Sequence, residues 1–444
     1  MKKFFTLLLF FSAVVMHSQD YTNGNLIVSY NVDTNNSGAY RNLSLQEYTT
    51  GTTGVINSAT AVGAAIITGR MVDDRKAAYE GQINTSEVGN YIVLTGRNTL
   101  DGTSAGTARA AALSLVRISK NKTIEYSDFL PADAAFNGGS GRSVASVDGT
   151  TFFIATAASS ADAGVRLATF GSTSNTSYFP EGARSVGIWN NEVVATGGND
   201  PSTYISGVAS TPTTAPTSTA FTGSAAPNNY CGLVLFDVDA VEPGNDLMYV
   251  AQRFSGIDKY YKSSGVWTYV STTSTADDYI GGFTGFQAMT GRIEGDKPVL
   301  YVIKIDESSP KAKSTLYQTI DNTPRTGDWT SGGAANPTYT VIATSDAGTN
   351  QTFRGVTFAP SSTTLSTRDF SQDAKGLLVY PSPDKSSVVI SNNNRSVSVI
   401  VFNAIGQKVL SGASDGDLIL NISYLKSGIY IVRTSNGETA RFVK

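Results

Sequence analysis

Two stretches of the chain repeat one another. G-R-S-V-A-S-V-D-G-T-T-F-F-I-A-T begins at Gly141 and G-A-R-S-V-G-I-W-N-N-E-V-V-A-T at Gly182. Aligned on Arg-Ser-Val, Arg142 falls on Arg184, 42 residues further on. Each unit reads as a strand, a polar two-residue turn (Asp148-Gly149 or Asn190-Asn191), a second strand and then another short one, such as Val165–Phe170 or Tyr204–Val208. Degenerate copies begin near Gly232, Gly285 and Phe353. Units of roughly 40–55 residues built from three or four strands have the size of propeller blades. A sheet this small has two apolar faces and can bury neither alone. Copies therefore stack around an axis, and closing the ring leaves only short edges exposed.

Starts near Asn25, Val62, Arg142, Arg184, Gly232 and Phe286 give six blades over residues 19–360, and seven blades divide the same length nearly as well. The small residues Gly141, Gly182, Ala183 and Gly232 fit a crowded centre where inner strands converge. A large β-sandwich or a β-helix is the competing architecture. Ring closure makes a specific demand. Thr352–Ala359 has no hairpin after it, while Leu26–Tyr30 and Leu43–Tyr48 lack an inner strand before them, so the two incomplete sets are expected to form one blade. Ala108–Val116 is the one stretch with some helical spacing, and its alternation together with its strand-rich neighbours favours a strand.

Lys2 and Lys3, the apolar run Phe4–Met16 and the small Ser18 form the pattern of a secretory signal peptide over residues 1–18. The run is too short to span a bilayer as a helix, and no later segment is long and apolar enough to do so. The only histidine, His17, would leave with that segment, removing imidazole from the available chemistry. One cysteine, Cys231, excludes an internal disulfide framework and is expected to act as a small buried hydrophobe. A formal net charge of −3 and the absence of a Lys/Arg cluster speak against a nucleic-acid surface.

Residues 361–376 are rich in Ser, Thr, Asp and Gln and read as a linker. Residues 377–444 then form clean alternating strands. Asn436-Gly437 is a hairpin signal, and the whole reads as a small β-sandwich. V-Y-P-S-P at 379–383, V-S-V-I-V-F-N-A-I-G-Q-K-V at 397–409, I-S-Y-L-K-S-G-I-Y-I-V-R at 422–433 and the terminal R-F-V-K carry a resemblance. They resemble the type A C-terminal sorting domain of proteins exported by the type IX secretion system of Bacteroidota. Ser382 stands where the family more often has Asn. The resemblance implies that residues 377–444 are read by the outer-membrane translocon, and that the cargo is released or attached at the cell surface. The body is similar, more weakly, to propeller proteins of unassigned function from the same kinds of bacteria.

The remaining chemistry is carboxylate, phenol, ammonium and guanidinium. Asp237 and Asp239 share one side of an extended segment, and with Glu242 they could hold Ca²⁺ through oxygen ligands, although no cation-binding loop consensus accompanies them. Turn capping is the structural alternative for these acids. No other cofactor is expected. Arg142, Arg184 and Arg354 recur at equivalent inner positions and suggest guanidiniums near the axis, either bonded to carbonyls of the next blade or facing an anionic glycan. Trp267 and Tyr269 belong to a dense aromatic stretch that either packs between blades or stacks on sugars. The expected function is a non-catalytic binding or adhesion module, secreted or on the cell surface, for an extracellular glycan or protein. A secreted carboxylate-dependent polysaccharide-active enzyme is the alternative.

Overall fold

The computed structural model describes residues 19–444 apart from 33–37, 51–58, 75–78, 130–135, 137–140, 157–163, 180–182, 198–201, 209–217, 223–229, 254, 274–284, 307–312, 331–336, 346–350, 362–377, 383–385, 392–396, 404–406, 415–417, 427 and 436–438. The signal-peptide segment, nearly all of the linker and the Asn436-Gly437 turn lie outside the described residues. The chain divides into two compact units, Met1–Thr364 and Leu365–Lys444.

The first unit opens with β1 (Leu26–Val32), β2 (Ala39–Tyr48) and β3 (Ala61–Asp73), paired in sequence. The two-residue β4 (Asn84–Thr85) pairs with β5 (Tyr91–Arg97), and the short β6 (Thr103–Ser104) pairs with β2. β7 (Leu113–Ser119) and β8 (Ile124–Asp128) extend the β4–β5 set. A single bridge, Met71 to Arg97, joins this set to β3. The third set is β9 (Gly141–Ser146), β10 (Thr151–Thr156), β11 (Gly164–Thr169) and β12 (Thr176–Phe179). The fourth is β13 (Ala183–Trp189), β14 (Glu192–Gly197), β15 (Ser202–Val208) and β16 (Ser218–Thr222). The fifth is β17 (Tyr230–Phe236), β18 (Leu247–Gln252), β19 (Ile257–Ser263) and β20 (Val266–Thr272). The sixth is β21 (Phe286–Glu294), β22 (Lys297–Asp306), β23 (Lys313–Ile320) and β24 (Thr340–Thr344). β25 (Gln351–Phe358) then returns to pair with β1 and completes the first set.

The inner strands β4, β9, β13, β17, β21 and β25 pack in consecutive contact, and β25 packs against β4. The circle is closed, and the first unit is a β-propeller. Its core lies between adjacent sets, because strands covered on both faces send alternate side chains into two different interfaces. On β10, Phe152 and Ile154 pack with Val93 and Leu115 of the second set, whereas Phe153 and Ala155 pack with Val186 and Val193 of the fourth. Burying one such Phe contributes about 1.5–3 kcal/mol. The seam where the ends meet has the same character: Leu26, Val28, Phe353 and Val356 pack with Tyr301 and Ile303.

Two expectations need correction. Val62 lies within β3, the outermost strand of its set, and starts no blade; the inner strand of the second set is β4. Ala105–Ala110 forms a six-residue helix, α1, and the strand begins only at Leu113. Three of those six residues are alanine, the best helix former, and only Ala108 among them is buried, so no sheet face recruits the segment.

The second unit is a sandwich. β26 (Leu378–Pro381) and β27 (Ser387–Ser391) pair, as do β28 (Val397–Asn403) and β29 (Lys408–Ser414). β30 (Leu418–Asn421) joins the first sheet, while β31 (Ile429–Thr434) and β32 (Thr439–Val443) complete the second. β31 alternates strictly, with Tyr430, Val432 and Thr434 buried and Ile429 and Ile431 exposed. Val388, Ile390, Val399, Val401, Val432 and Phe442 fill the space between the sheets. Lys444 closes the unit by donating to the carbonyls of Ile422, Ser423 and Leu425.

Candidate functional site

Residues Tyr79–Thr85 run through the centre of the ring and are bonded to the surrounding inner strands. Gln82 Nε2 donates to the Cys231 carbonyl at 2.9 Å. Asn84 Nδ2 donates to Val144 O at 2.8 Å and to Val186 O at 3.0 Å, thereby joining two neighbouring sets. Ser29 Oγ donates to Gly81 O at 2.6 Å, and Thr85 N donates to Thr357 Oγ1 at 2.9 Å. Unpaired strand edges at a crowded axis are costly, and side-chain amides supply the missing partners. Gly355 is required here: a Cβ on it would lie 2.7 Å from Ile83 N and 2.9 Å from Gln82 Cα.

Tyr79 stands at the start of this segment, with three guanidiniums gathered about its ring. The guanidinium carbons of Arg184, Arg253 and Arg142 lie 4.1, 4.7 and 5.3 Å from the ring centroid. Arg253 also donates to the Tyr79 hydroxyl. Arg142 and Arg184 come from the starts of β9 and β13, so the 42-residue repeat delivers them side by side. Arg142 Nη1 donates to Ala183 O at 3.3 Å. Arg184 and Arg253 are buried, whereas Arg142 and Tyr79 are half-buried. Burial and the like charge of Arg184 bring the Arg142 guanidinium down to about 10. Burial raises the Tyr79 hydroxyl, with Cys231 adding to the rise and Arg253 and Arg184 opposing it.

Beside this cluster lies a buried carboxylate. Glu80 Oε1 accepts from the Tyr40 hydroxyl at 2.9 Å and Oε2 from Asp73 N at 3.0 Å. Burial raises its pKa, Asp73 adds to the shift and Arg97 opposes it. Asp73 in turn pairs with Arg109 at 3.2 Å. Arg354, on the closing strand, donates from Nε to Asn31 Oδ1 at 2.7 Å and from Nη2 to Asp73 O at 3.2 Å.

The other candidates sit elsewhere. Trp267 and Tyr269 are on β20, the outermost strand of the fifth set. There Tyr269 meets Tyr260 edge-on at 5.7 Å and shares a hydrogen bond with Thr272, while Lys262 Nζ lies 5.8 Å from the Trp267 ring. Asp237, Asp239 and Glu242 follow the far end of β17 from Cys231 and take separate partners. Asp239 pairs with Arg325 at 2.6 Å, and Asn190 Nδ2 donates to Asp237 at 3.5 Å. Glu242 accepts from the backbone N–H groups of Ser264 and Gly265 at 2.7 and 2.9 Å, capping the β19–β20 turn. Among the described residues no group of three His, Cys, Asp or Glu side chains is placed to hold a metal ion.

Tyr79, Glu80 and Arg253 escape sequence reasoning. Arg253 follows the second strand of its set, where the repeat has no equivalent arginine, and Tyr79 lies between strands in a stretch without periodicity.

Residues 378–444 match the family described as the secretion system C-terminal sorting domain. The chain therefore carries a type IX secretion sorting domain behind a propeller body, and it is exported to the cell surface or beyond. No curated protein matches the chain. Similar solved structures include a periplasmic gluconolactonase, PpgL, of Pseudomonas aeruginosa, at 12% identity and a TM-score of 0.38, covering 90% of this chain and 99% of that one. Another is PorZ, a surface component of the type IX secretion system of Porphyromonas gingivalis, at 10% identity and a TM-score of 0.19, covering 95% of this chain and 82% of that one. Among the described residues no helix is long and apolar enough to cross a membrane.

Proposed function

We propose that the body is a six-bladed, non-catalytic binding propeller that engages an extracellular glycan or protein through the face on which its inner strands begin. The observation that carries this reading is the cluster of Tyr79 with Arg142, Arg184 and Arg253 at the axis. Guanidinium and phenol groups recognise ligands by charge and hydrogen bonding, and neither titrates near neutral pH as a general acid or base would. The carboxylate nearest to this cluster in sequence, Glu80, has both oxygens engaged by Tyr40 and the Asp73 backbone, which favours binding over carboxylate-dependent hydrolysis. The test is a glycan array probed with the protein recovered outside the cell, followed by a hydrolysis assay on every glycan that binds. Binding without turnover is expected; release of reducing ends from a bound glycan would replace this reading with the enzymatic one.

A further inference from the structure

We infer that the axial cluster takes an anionic group of an acidic polysaccharide, a carboxylate or a sulfate, which meets Arg142 and Tyr79 first. This deepens the binding reading above and rests on it. Arginine used only to hold a fold is satisfied by carbonyls. Arg97 shows that pattern: it is buried, and its terminal nitrogens donate to Ala111 O and Phe136 O. Arg142 differs. Among the described residues its terminal nitrogens make one bond, from Nη1 to Ala183 O at 3.3 Å, where those of Arg97 make two. Part of the side chain still reaches solvent.

Charge points the same way. Three guanidiniums within 5.3 Å of one ring centroid concentrate positive potential in a chain whose formal net charge is −3. A phenol face offsets each cation only weakly, by about 0.5–2 kcal/mol. An anion docked at Arg142 would relieve its repulsion from Arg184, and the planar guanidinium fork matches carboxylate and sulfate oxygens. Within the cluster Arg142 and Tyr79 are half-buried while Arg184 and Arg253 are buried, so one guanidinium fork is presented to one anionic group.

The experiment compares three polymers that share one backbone, namely dextran, carboxymethyl-dextran and dextran sulfate. Binding to the full exported protein is measured by titration calorimetry at low and at moderate salt. Both charged polymers are expected to bind and dextran to fail, with the carboxymethyl and sulfate arms reporting which anion fits. Arg142→Gln should weaken binding about tenfold or more, and Arg142→Lys should retain part of it. The melting temperature of each variant establishes that it is folded. Lys297→Gln, an exposed cation on the β21–β22 turn, should change nothing. Equal binding of dextran, or equal losses in the Arg142 and Lys297 variants, overturns the anion site while the binding reading stands. Binding of poly-glutamate in place of all three polymers overturns the polysaccharide class. A folded protein that binds none of these and nothing on the array overturns both readings.

Discussion

Leu26, on the first strand of the body, stands opposite Phe358 on its last, in a pairing that continues to Val32 and Gln351. Nearly the whole body lies between the two ends of that ladder, so every interface around the ring depends on its staying shut. Opening β25 would uncover Phe353 and Val356 together with the Tyr301 and Ile303 against which they pack.

Val356 faces Val28 across the seam and is buried among Tyr301 and Ile303. Val356→Asp places a carboxylate there without a partner and should cost several kcal/mol, a large share of a typical stability of about 5–15 kcal/mol. All three tryptophans, Trp189, Trp267 and Trp329, lie in the body, so urea denaturation followed by tryptophan fluorescence reports on the ring alone. The midpoint should fall sharply for Val356→Asp and stay in place for Val399→Asp in the second unit. An unchanged midpoint in the first variant would mean that closure contributes nothing.

Two glycine-to-alanine changes should have opposite signs. Gly106 lies in α1 with nothing near its absent Cβ, so Gly106→Ala should stabilise by about 0.5–1 kcal/mol. Gly355→Ala pushes a methyl group against the Gln82–Ile83 backbone and should destabilise the body while loosening Tyr79–Thr85. Thermal melting of the two variants gives the comparison, and a neutral Gly355→Ala would show that the axial segment has room to spare.

Lys259 and Asp321 form an ion pair at 2.7 Å with neither side chain exposed. The ammonium also donates to Thr323 Oγ1 and to the carbonyls of Pro324 and Gly327, while Tyr249 donates to Asp321 at 2.6 Å. Burial lowers the Lys259 pKa, and Asp321 opposes that shift. Asp321→Ala leaves a buried cation uncompensated and should cost about 3–5 kcal/mol, whereas Lys259→Met combined with Asp321→Leu should cost less than the single change. A double variant as unstable as Asp321→Ala would place the effect in packing.

The fold was legible where the repeat was regular. Arg142 and Arg184 announced two blades, and the unpaired strands at 26–30, 43–48 and 352–359 announced the closure, because an exposed sheet edge demands a partner. Ala108 misled, since alanines at strand-like spacing carry no pattern strong enough to outweigh helix propensity. Tyr79 and Arg253 were invisible because their meeting is tertiary: each comes from a connection of a different set and is positioned by neighbours distant in sequence. Local patterns report which face of an element is buried; they do not report which loops share an axis.

The sorting domain gives an export prediction. A chain lacking residues 378–444 should fail to reach the cell surface or the medium, and the Lys444→Met chain should show a less stable second unit, because the carbonyls of Ile422, Ser423 and Leu425 lose their common donor. Cell fractionation with antibody against the body measures the first effect. Full delivery of the shortened chain would show that the match at 378–444 does not act as an address.

Asp258 provides a pH test in the fifth set. Its Oδ2 accepts from the hydroxyls of Tyr230 at 3.0 Å and Tyr260 at 3.2 Å, and Oδ1 accepts from Thr272 at 2.5 Å. Burial raises the Asp258 pKa above the ordinary 3.8, although all three hydroxyl donors oppose the shift. Between the unfolded and the folded values, the native state holds a proton that the unfolded chain has released. This group's contribution to stability is therefore greatest below the unfolded value and declines as pH rises through the folded one. Asp258→Asn cannot ionise and should lack that component. The stability of the natural chain relative to the variant, from urea midpoints between about pH 4 and pH 8, should thus fall with rising pH and then level off. A difference that stays constant over that interval, or rises through it, would show that Asp258 is as ionised in the folded ring as in the open chain.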